Sequence, residues 1–428
     1  MPRRRFRVML VLFALLVATS AFGQTETVLY SFPGGDGGSD PYQSGVVRDE
    51  AGNLYGVLSQ GGPSGTSCSG DGCGLVYELS PNPGGGWDET VLYNFKGLHD
   101  GGSPVGNLII DAKGDLYGVT EQGGNSVCSS VLGAGCGVVF RLVHSKKGWK
   151  YSVIHEFGND GGAYPNAGAV FDPAGNLYGT TQFGGDFFCG CGIVYQLKLG
   201  SGGKWTENTL YNFLGISRGG SDVSFPGSDV FVDANGNIFG TGTGGGDANC
   251  NDGCGGVYEL VAQGDGTYQE RVLHVFIGGR DGAVPFGGVL LDSQGNVYGT
   301  TVEGGGNACQ RFGCGTVFEL NKSEGYKSKI ILRFTGENGL NPVADLYLDS
   351  ANNLYSTTAG GGTFDNGIAF GLGFSAHKWT ETGLYSFGNG ADGASSWASL
   401  TPDGNGGFFG TTRGGGTNGA GTVFQLLP

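Results

Sequence analysis

Gly175-Asn176-Leu177-Tyr178-Gly179-Thr180-Thr181 decides the fold, because close copies of it recur along the whole chain. The aromatic residue of the copy falls at Tyr55, Tyr117, Tyr178, Phe239, Tyr298, Tyr355 and Phe409, at steps of 62, 61, 61, 59, 57 and 54 residues. Self-similarity at such a period marks a repeat architecture. Each unit carries four apolar runs, which in the second copy are residues 106–110, 115–120, 137–142 and 151–157. Four strands per unit predict a propeller blade.

The first turn of a unit reads Asp-x-x-Gly-Asn, beginning at Asp172, Asp233 and Asp292, with Asp115 closing the copy that begins at Asp111 and Asn352 replacing Gly in the one that begins at Asp349. An Asp side chain starts a turn and Gly tolerates the positive φ that closes it, so these are predicted hairpins and not calcium loops. The third and fourth runs, Val138-Val139-Phe140-Arg141-Leu142 and Val153-Ile154-His155-Glu156-Phe157, are apolar on both faces near their starts. That is the pattern of strands buried on two sides, as between stacked blades. Glycine follows the aromatic at Gly56, Gly118, Gly179, Gly240, Gly299 and Gly410, with Ser356 in the sixth copy. Because glycine weakens a strand, its recurrence predicts the close approach of a neighbouring blade.

Closure follows from the termini. Residues 26–32 match the unit-ending runs at 89–95 and 381–387, yet precede the first complete unit, whereas 423–427 match a third strand with no fourth behind it. Residues 26–32 are therefore expected to complete the last blade, giving an all-β, seven-bladed β-propeller of four-stranded blades closed by its N-terminal strand.

With units of the form Thr27-Val28-Leu29-Tyr30-Ser31-Phe32, Gly175-Asn176-Leu177-Tyr178-Gly179-Thr180-Thr181 and Gly421-Thr422-Val423-Phe424-Gln425-Leu426, the chain resembles the GloVer tandem-repeat proteins, a bacterial group. The match runs over residues 27–427. The family carries varied C-terminal surface anchors, whereas this chain ends at Pro428 without a hydrophobic tail, so the resemblance implies a free or periplasmic member. It implies no activity and no catalytic residue.

Residues 1–23 read as a signal peptide: Arg3, Arg4, Arg5 and Arg7 precede an apolar stretch from Val8 to Ala18, then Ala21-Phe22-Gly23. The expected organisation is this segment followed by a single propeller over 24–428, secreted or periplasmic, with no membrane span left after cleavage. Removing those four arginines leaves 19 basic residues against 38 acidic ones. Nucleic acid and anionic membranes are thereby excluded as expected partners, since binding them needs clustered cations.

All ten cysteines fall between the second and third runs of units one to five, as Cys68/Cys73, Cys128/Cys136, Cys189/Cys191, Cys250/Cys254 and Cys309/Cys314. In an exported chain, one local disulfide per loop is the economical reading. Zinc would need four ligands in one place, and these pairs sit on five separate units.

Chemistry is sparse. The five histidines are scattered, no Gly-x-Ser-x-Gly elbow occurs, and the Asp247 to Asp252 segment departs from a calcium loop at its glycine and at its twelfth position, Tyr258. Trp87, Trp149, Trp205 and Trp379 recur just before a fourth run, where Tyr268 and Tyr326 stand in the other complete units, a place suited to blade packing, with sugar stacking as the alternative. Trp397 differs, standing where other units carry Pro41, Pro104, Pro165, Pro226, Pro285 and Pro342. The segments entering each unit carry Asp36, Asp100, Asp160, Asp281 and Asp392 before glycine, with Arg218 and Asn338 in the fourth and sixth units. Those aspartates and Trp397 are the candidate ligand-binding residues. A ring of carboxylates at the channel would focus negative potential and suit calcium, although Asp-Gly is equally ordinary turn chemistry, and no cofactor is otherwise indicated. The expected function is a monomeric binding or scaffold module for a glycan or an extracellular protein. The alternative is a polysaccharide hydrolase or lyase using carboxylates at the mouth, two carboxyls about 5 to 9 Å apart being its signature.

Overall fold

The computed structural model describes residues 24–427, apart from 64–67, 69–70, 129–134, 159–160, 187–188, 219–221, 247–249, 251–252, 307, 310–311, 377 and 389–390. The described residues form seven four-stranded antiparallel sheets and no α-helix. Blade 1 consists of strands Val47–Arg48, Leu54–Leu58, Leu75–Pro81 and Trp87–Asn94, from the axis outward. Blades 2 to 6 follow in chain order, beginning at Gly102–Ile110, Val170–Phe171, Phe231–Val232, Leu290–Leu291 and Tyr347–Leu348. Blade 7 is assembled from both ends of the chain: Thr401–Pro402, Phe408–Thr412 and Thr422–Leu427 are completed by Thr25–Ser31. Glu26 pairs with Leu426 and Val28 with Phe424, so the orphan strand closes the ring in the predicted place.

The inner hairpins show why the turn is written with Asp, Gly and Asn. Asp172 Oδ1 accepts the N–H groups of Ala174 and Asn176, both at 2.9 Å, while Oδ2 accepts the Asn176 amide at 2.7 Å and the Tyr178 hydroxyl at 3.1 Å. The same set recurs at Asp292 and Asp349. With four donors on one carboxylate, the side chain is spent on the turn, and these bonds hold the carboxyls of Asp172 and Asp349 below their ordinary range against the opposing effect of burial.

The glycine after each aromatic has a nearer cause than a neighbouring blade. Gly56 lies opposite Tyr77 in the ladder of its own blade, and a Cβ there would sit 2.4 Å from the Tyr77 hydroxyl. Gly179 faces Tyr195 and Gly410 faces Phe424 in the same way. The third-strand aromatic thus lies flat over the missing side chain, and its far edge meets the next contact outward: the phenylalanine that ends the preceding blade. Seven such pairs run round the ring, Phe32–Tyr77, Phe95–Phe140, Phe157–Tyr195, Phe213–Tyr258, Phe276–Phe318, Phe334–Phe370 and Phe387–Phe424, with centroids 5.0 to 5.2 Å apart. All seven phenylalanines that end a blade are buried. Edge-to-face geometry adds to the area such rings bury. Further inward, the first threonine of the motif stitches blades together: Thr180 Oγ1 donates to the Ser228 carbonyl at 3.0 Å, Thr241 to Gly287 at 3.1 Å and Thr411 to Ser44 at 2.6 Å.

The recurring tryptophans pack on the motif aromatic of the preceding blade. Trp87 meets Phe409, Trp149 meets Tyr55, Trp205 meets Tyr117 and Trp379 meets Tyr298, all edge-on.

Carboxyl pairs lie in the outer seams. Tyr211 donates to Glu270 at 3.0 Å beside Asp222, and Tyr385 donates to Asp392 at 2.9 Å beside Glu26. Each pair leaves two buried carboxyl oxygens without a partner, Asp222 Oδ1 with Glu270 Oε1 and Asp392 Oδ1 with Glu26 Oε1. A proton held on one member satisfies both. Burial, then the charge of Asp392, pushes Glu26 up to about 7, and burial with Asp222 raises Glu270 as well. A carboxyl raised on folding contributes stability below its unfolded pKa and loses it as pH rises through the folded value. The melting temperature is therefore expected to peak in mild acid and to fall by several degrees as pH rises from 4.5 to above 7. Calorimetric scans across that window check it, and a rise toward alkaline pH would contradict it.

Candidate functional site

The described Asp-Gly aspartates are built into turns. Asp100 accepts the Lys96 N–H at 2.9 Å and the Tyr93 hydroxyl at 2.5 Å. Asp392 accepts the N–H of Gly388 and the hydroxyl of Tyr385, and Asp281 contacts the Ile277 N–H and the His274 ring. Asp36 is exposed in the turn Gly35–Gly37. Asp160 lies outside the described residues, as does most of the segment from Asp247 to Asp252. In the fourth unit the capping role falls to Asp222, whose Oδ2 accepts the Leu214 N–H at 2.6 Å, and in the sixth Asn338 accepts from Thr335. None of the described ones lines the channel or its mouth. Among the described residues, no cluster of three His, Cys, Asp or Glu is placed to hold a metal ion.

Trp397 does line the channel. The ladder register corrects its position in the repeat. Tyr347 pairs with Tyr355 and Thr401 with Phe409, so Ser396 is the counterpart of Pro342 and Trp397 that of Val343. Ser395 and Asn341, each one residue earlier, share the same positive φ, 59° and 54°.

The channel narrows to a cavity of about 20 Å³, room for one water. At this level runs a ring of residues in one register, Gly45, Asn107, Gly168, Asp229, Gly288, Asp345 and Ser399, of which Asn107, Asp229, Asp345 and Ser399 line the cavity. Blades pair off along it: the Gly45 N–H donates to Asn107 at 2.8 Å, that of Gly168 to Asp229, and that of Gly288 to Asp345 at 2.5 Å. Seven is odd, and Ser399 of the unpaired blade 7 donates to Asp345 at 3.3 Å. Burial, then the charge of Asp345, pushes the Asp229 carboxyl well above its ordinary range. At this level the channel holds a water but not a sugar ring.

Above the throat, two further rings form the mouth. One comprises the residues at positive φ next to each proline position, Asp40, Ser103, Tyr164, Phe225, Val284, Asn341 and Ser395. Left-handed backbone is costly for Tyr, Phe and Val, and such strain persists only where surroundings impose it. The loop between the second and third strands of the preceding blade does so here, through Ala420 for Asp40 and Asn366 for Ser395, and through a disulfide-bearing loop for the other five. The carbonyls of Cys73, Cys136, Cys191, Cys254 and Cys314 accept the N–H groups of Ser103, Tyr164, Phe225, Val284 and Asn341 at 2.8 to 3.0 Å. All five cysteine pairs are bridged within their own loops, so each bridge braces the mouth residue of the following blade.

The second ring is the residue four after each motif aromatic: Ser59, Glu121, Gln182, Thr243, Val302, Ala359 and Arg413. Together the rings are polar over blades 7, 1, 2 and 3 and largely apolar over blades 4, 5 and 6. A cavity of about 440 Å³ opens over the polar sector, with Phe286 of blade 5 projecting across it. Arg413 gives two nitrogens to Asp40, at 2.5 and 2.8 Å, and lies over the rings of Tyr42 and Trp397 at 4.8 and 4.6 Å. That fork is held on three sides, and its charge is met by Asp40. Glu121, 8% exposed, accepts from the Tyr164 hydroxyl and has no cationic partner there. Burial is the main cause, with Asp40 adding to it, of a Glu121 carboxyl pushed up to about 7. Asn166 is 4% exposed and lines the same cavity with its Oδ1 unpartnered. Buried polar atoms without partners are rare and costly, and at a cavity wall they point to a ligand. Of the described sequence candidates only Trp397 belongs to this site, as the platform under Arg413.

These features define a closed seven-bladed β-propeller with a polar mouth on its disulfide-bearing face. The chain belongs to the Gloeobacter/Verrucomicrobia repeat family, whose model matches residues 11–252, 126–310 and 307–428. A comparison with curated protein sequences finds no match. Among solved structures, the chain is similar to a proposed 6-phosphogluconolactonase from Bacteroides uniformis, at 14% identity, with 84% of this chain and 89% of that chain covered and a TM-score of 0.49. It is similar to a proposed oxidoreductase (glucose dehydrogenase) from Thermus thermophilus, at 14% identity, 95% and 100% coverage and a TM-score of 0.43. A protein of unknown function from Dyadobacter fermentans has 11% identity, 84% and 96% coverage and a TM-score of 0.43. At these scores the likeness carries no argument about activity. No helix among the described residues is long and apolar enough to cross a membrane.

Proposed function

We propose that this protein is an exported binding module that takes a glycan into the mouth of its propeller. The family and the fold suit a binding or scaffold role. The observation that carries the glycan reading is the mouth cavity, where Tyr42, Tyr164 and Phe286 stand among Gln60, Asn166 and Gln182. Sugars offer hydroxyls to amide and hydroxyl groups and C–H faces to aromatic rings, and a pocket of this size and mixed lining is an ordinary ligand site. Export is supported by the five bridges, which fit an oxidising compartment, and by the basic and apolar pattern of residues 1–23. The geometry favours binding over hydrolysis, since Asp40 is committed to Arg413 and Glu121 is the one other acid of the cavity among the described residues.

A glycan array followed by calorimetry tests the reading. The Asn166→Ala variant is expected to fold at least as stably as the wild type, because a buried oxygen without a partner is removed, yet to bind the array hit about tenfold more weakly. Unchanged affinity in Asn166→Ala, or no sugar bound by the wild type, would count against it.

A further inference from the structure

We propose that the mouth cavity selects sugars bearing a free amino group, with Glu121 as the anionic partner of the ammonium. The inference rests on the glycan reading and narrows its ligand class.

Charge placement comes first. Two carboxyl groups, Asp40 and Glu121, and one guanidinium, Arg413, line the cavity. The two nitrogens that Arg413 gives to Asp40 pair those charges off, which leaves the cavity one net negative charge when Glu121 is ionised. A cation has one vacant counter-ion to meet, and an anionic sugar has none. The long-range field acts in the same sense, since the chain carries a formal charge of −15.

Shape and surroundings agree. Glu121 is buried at the cavity wall, with the Tyr164 hydroxyl donating to it, the Tyr42 ring close enough to feel its charge, and Asp40 and Arg413 beyond. Aromatic rings beside a carboxylate form the enclosure that ammonium groups favour, the ring faces and the carboxylate both presenting negative potential. Asn166, its Oδ1 unpartnered, supplies an acceptor for an N–H or O–H from the same ligand. The raised pKa of Glu121 fits a carboxyl waiting for a cation, because an ammonium brought alongside would lower it again.

The test compares three tetrasaccharides by calorimetry at pH 7: the glucosamine tetramer, the N-acetylglucosamine tetramer and cellotetraose. The wild type is expected to bind the glucosamine tetramer about tenfold more tightly than either neutral one, as a charge-assisted hydrogen bond allows. Glu121→Gln should abolish that preference, read as the ratio of its affinities for the charged and neutral tetramers, and its melting curve shows whether it folds. Should it not fold, Tyr164→Phe replaces it, with a reduced preference expected. Lowering the pH to 5, where Glu121 takes a proton, should shrink the preference in the wild type. Neutral sugars binding as tightly as the amino sugar, or a preference that persists in Glu121→Gln, overturns the inference and leaves the glycan reading standing. Binding of none of the three, with no array hit, overturns both.

Discussion

Deleting residues 24–33 should lower the melting temperature by more than about ten degrees and broaden the transition. The segment supplies the fourth strand of blade 7, with six register pairs from Thr25↔Leu427 to Ser31↔Thr422. Its end delivers Phe32, fully buried, onto Tyr77 of blade 1 at 5.1 Å, and the Phe32 N–H donates to the Gly421 carbonyl at 3.0 Å. Truncating a buried phenylalanine alone costs about 3 to 5 kcal/mol, and the deletion also bares the edge of Thr422–Leu427 to other chains. Differential scanning calorimetry reads the shift and light scattering reads the association. An unchanged melting curve would mean that blade 7 stands without its fourth strand.

Phe213→Ala is the second large effect, with an expected loss of about 3 to 5 kcal/mol in denaturant unfolding. Phe213 is fully buried between blades 3 and 4, with its ring edge-on to Tyr258 at 5.0 Å. Tyr258 is itself pinned over Gly240, where a Cβ would lie 2.3 Å from its hydroxyl, so the neighbouring ring cannot slide inward to fill the void. The cavity left behind therefore stays open, the condition under which such truncations cost most. A loss below about 1 kcal/mol would show that the seam relaxes and that the seven pairs are not what holds the blades together.

The architecture was legible because it repeats. The period of the motif, the hairpin written Asp-x-x-Gly-Asn and the orphan strand at 26–32 each have one physical reading, and the ladder bears out the propeller and its closure. The cysteine pairs were legible for the same reason, although their further role, holding the strained mouth residues through the carbonyls of Cys73 to Cys314, needed coordinates. Recurrence also misled. Among the Asp-Gly aspartates, Asp100, Asp281 and Asp392 each cap a turn, as Asp100 does for Lys96. The motif glycine recurs because of an aromatic in its own blade, a partner on the next strand that periodicity does not name.

The mouth was hidden for the opposite reason. Its residues occupy positions where the repeat fails to repeat: Ser59, Glu121, Gln182, Thr243, Val302, Ala359 and Arg413 are equivalent in the fold and unrelated in chemistry. In a ring of near-identical blades, an asymmetric ligand can be recognised only where the blades differ. Comparing the units column by column would have exposed that signal. Trp397 was noticed for its singularity but placed one residue early, because the last unit has no proline to mark the register and only the pairing of Thr401 with Phe409 fixes it.

The most direct test of the account is a crystal structure of the full mature chain with its best glycan-array hit. The account predicts sugar density in the mouth over blades 7, 1, 2 and 3, within hydrogen-bond distance of Glu121 and Asn166. Density confined to the outer groove of about 590 Å³ that Tyr117, Arg141, Phe171 and Trp205 line between blades 2 and 3, with the mouth holding only water, would contradict it.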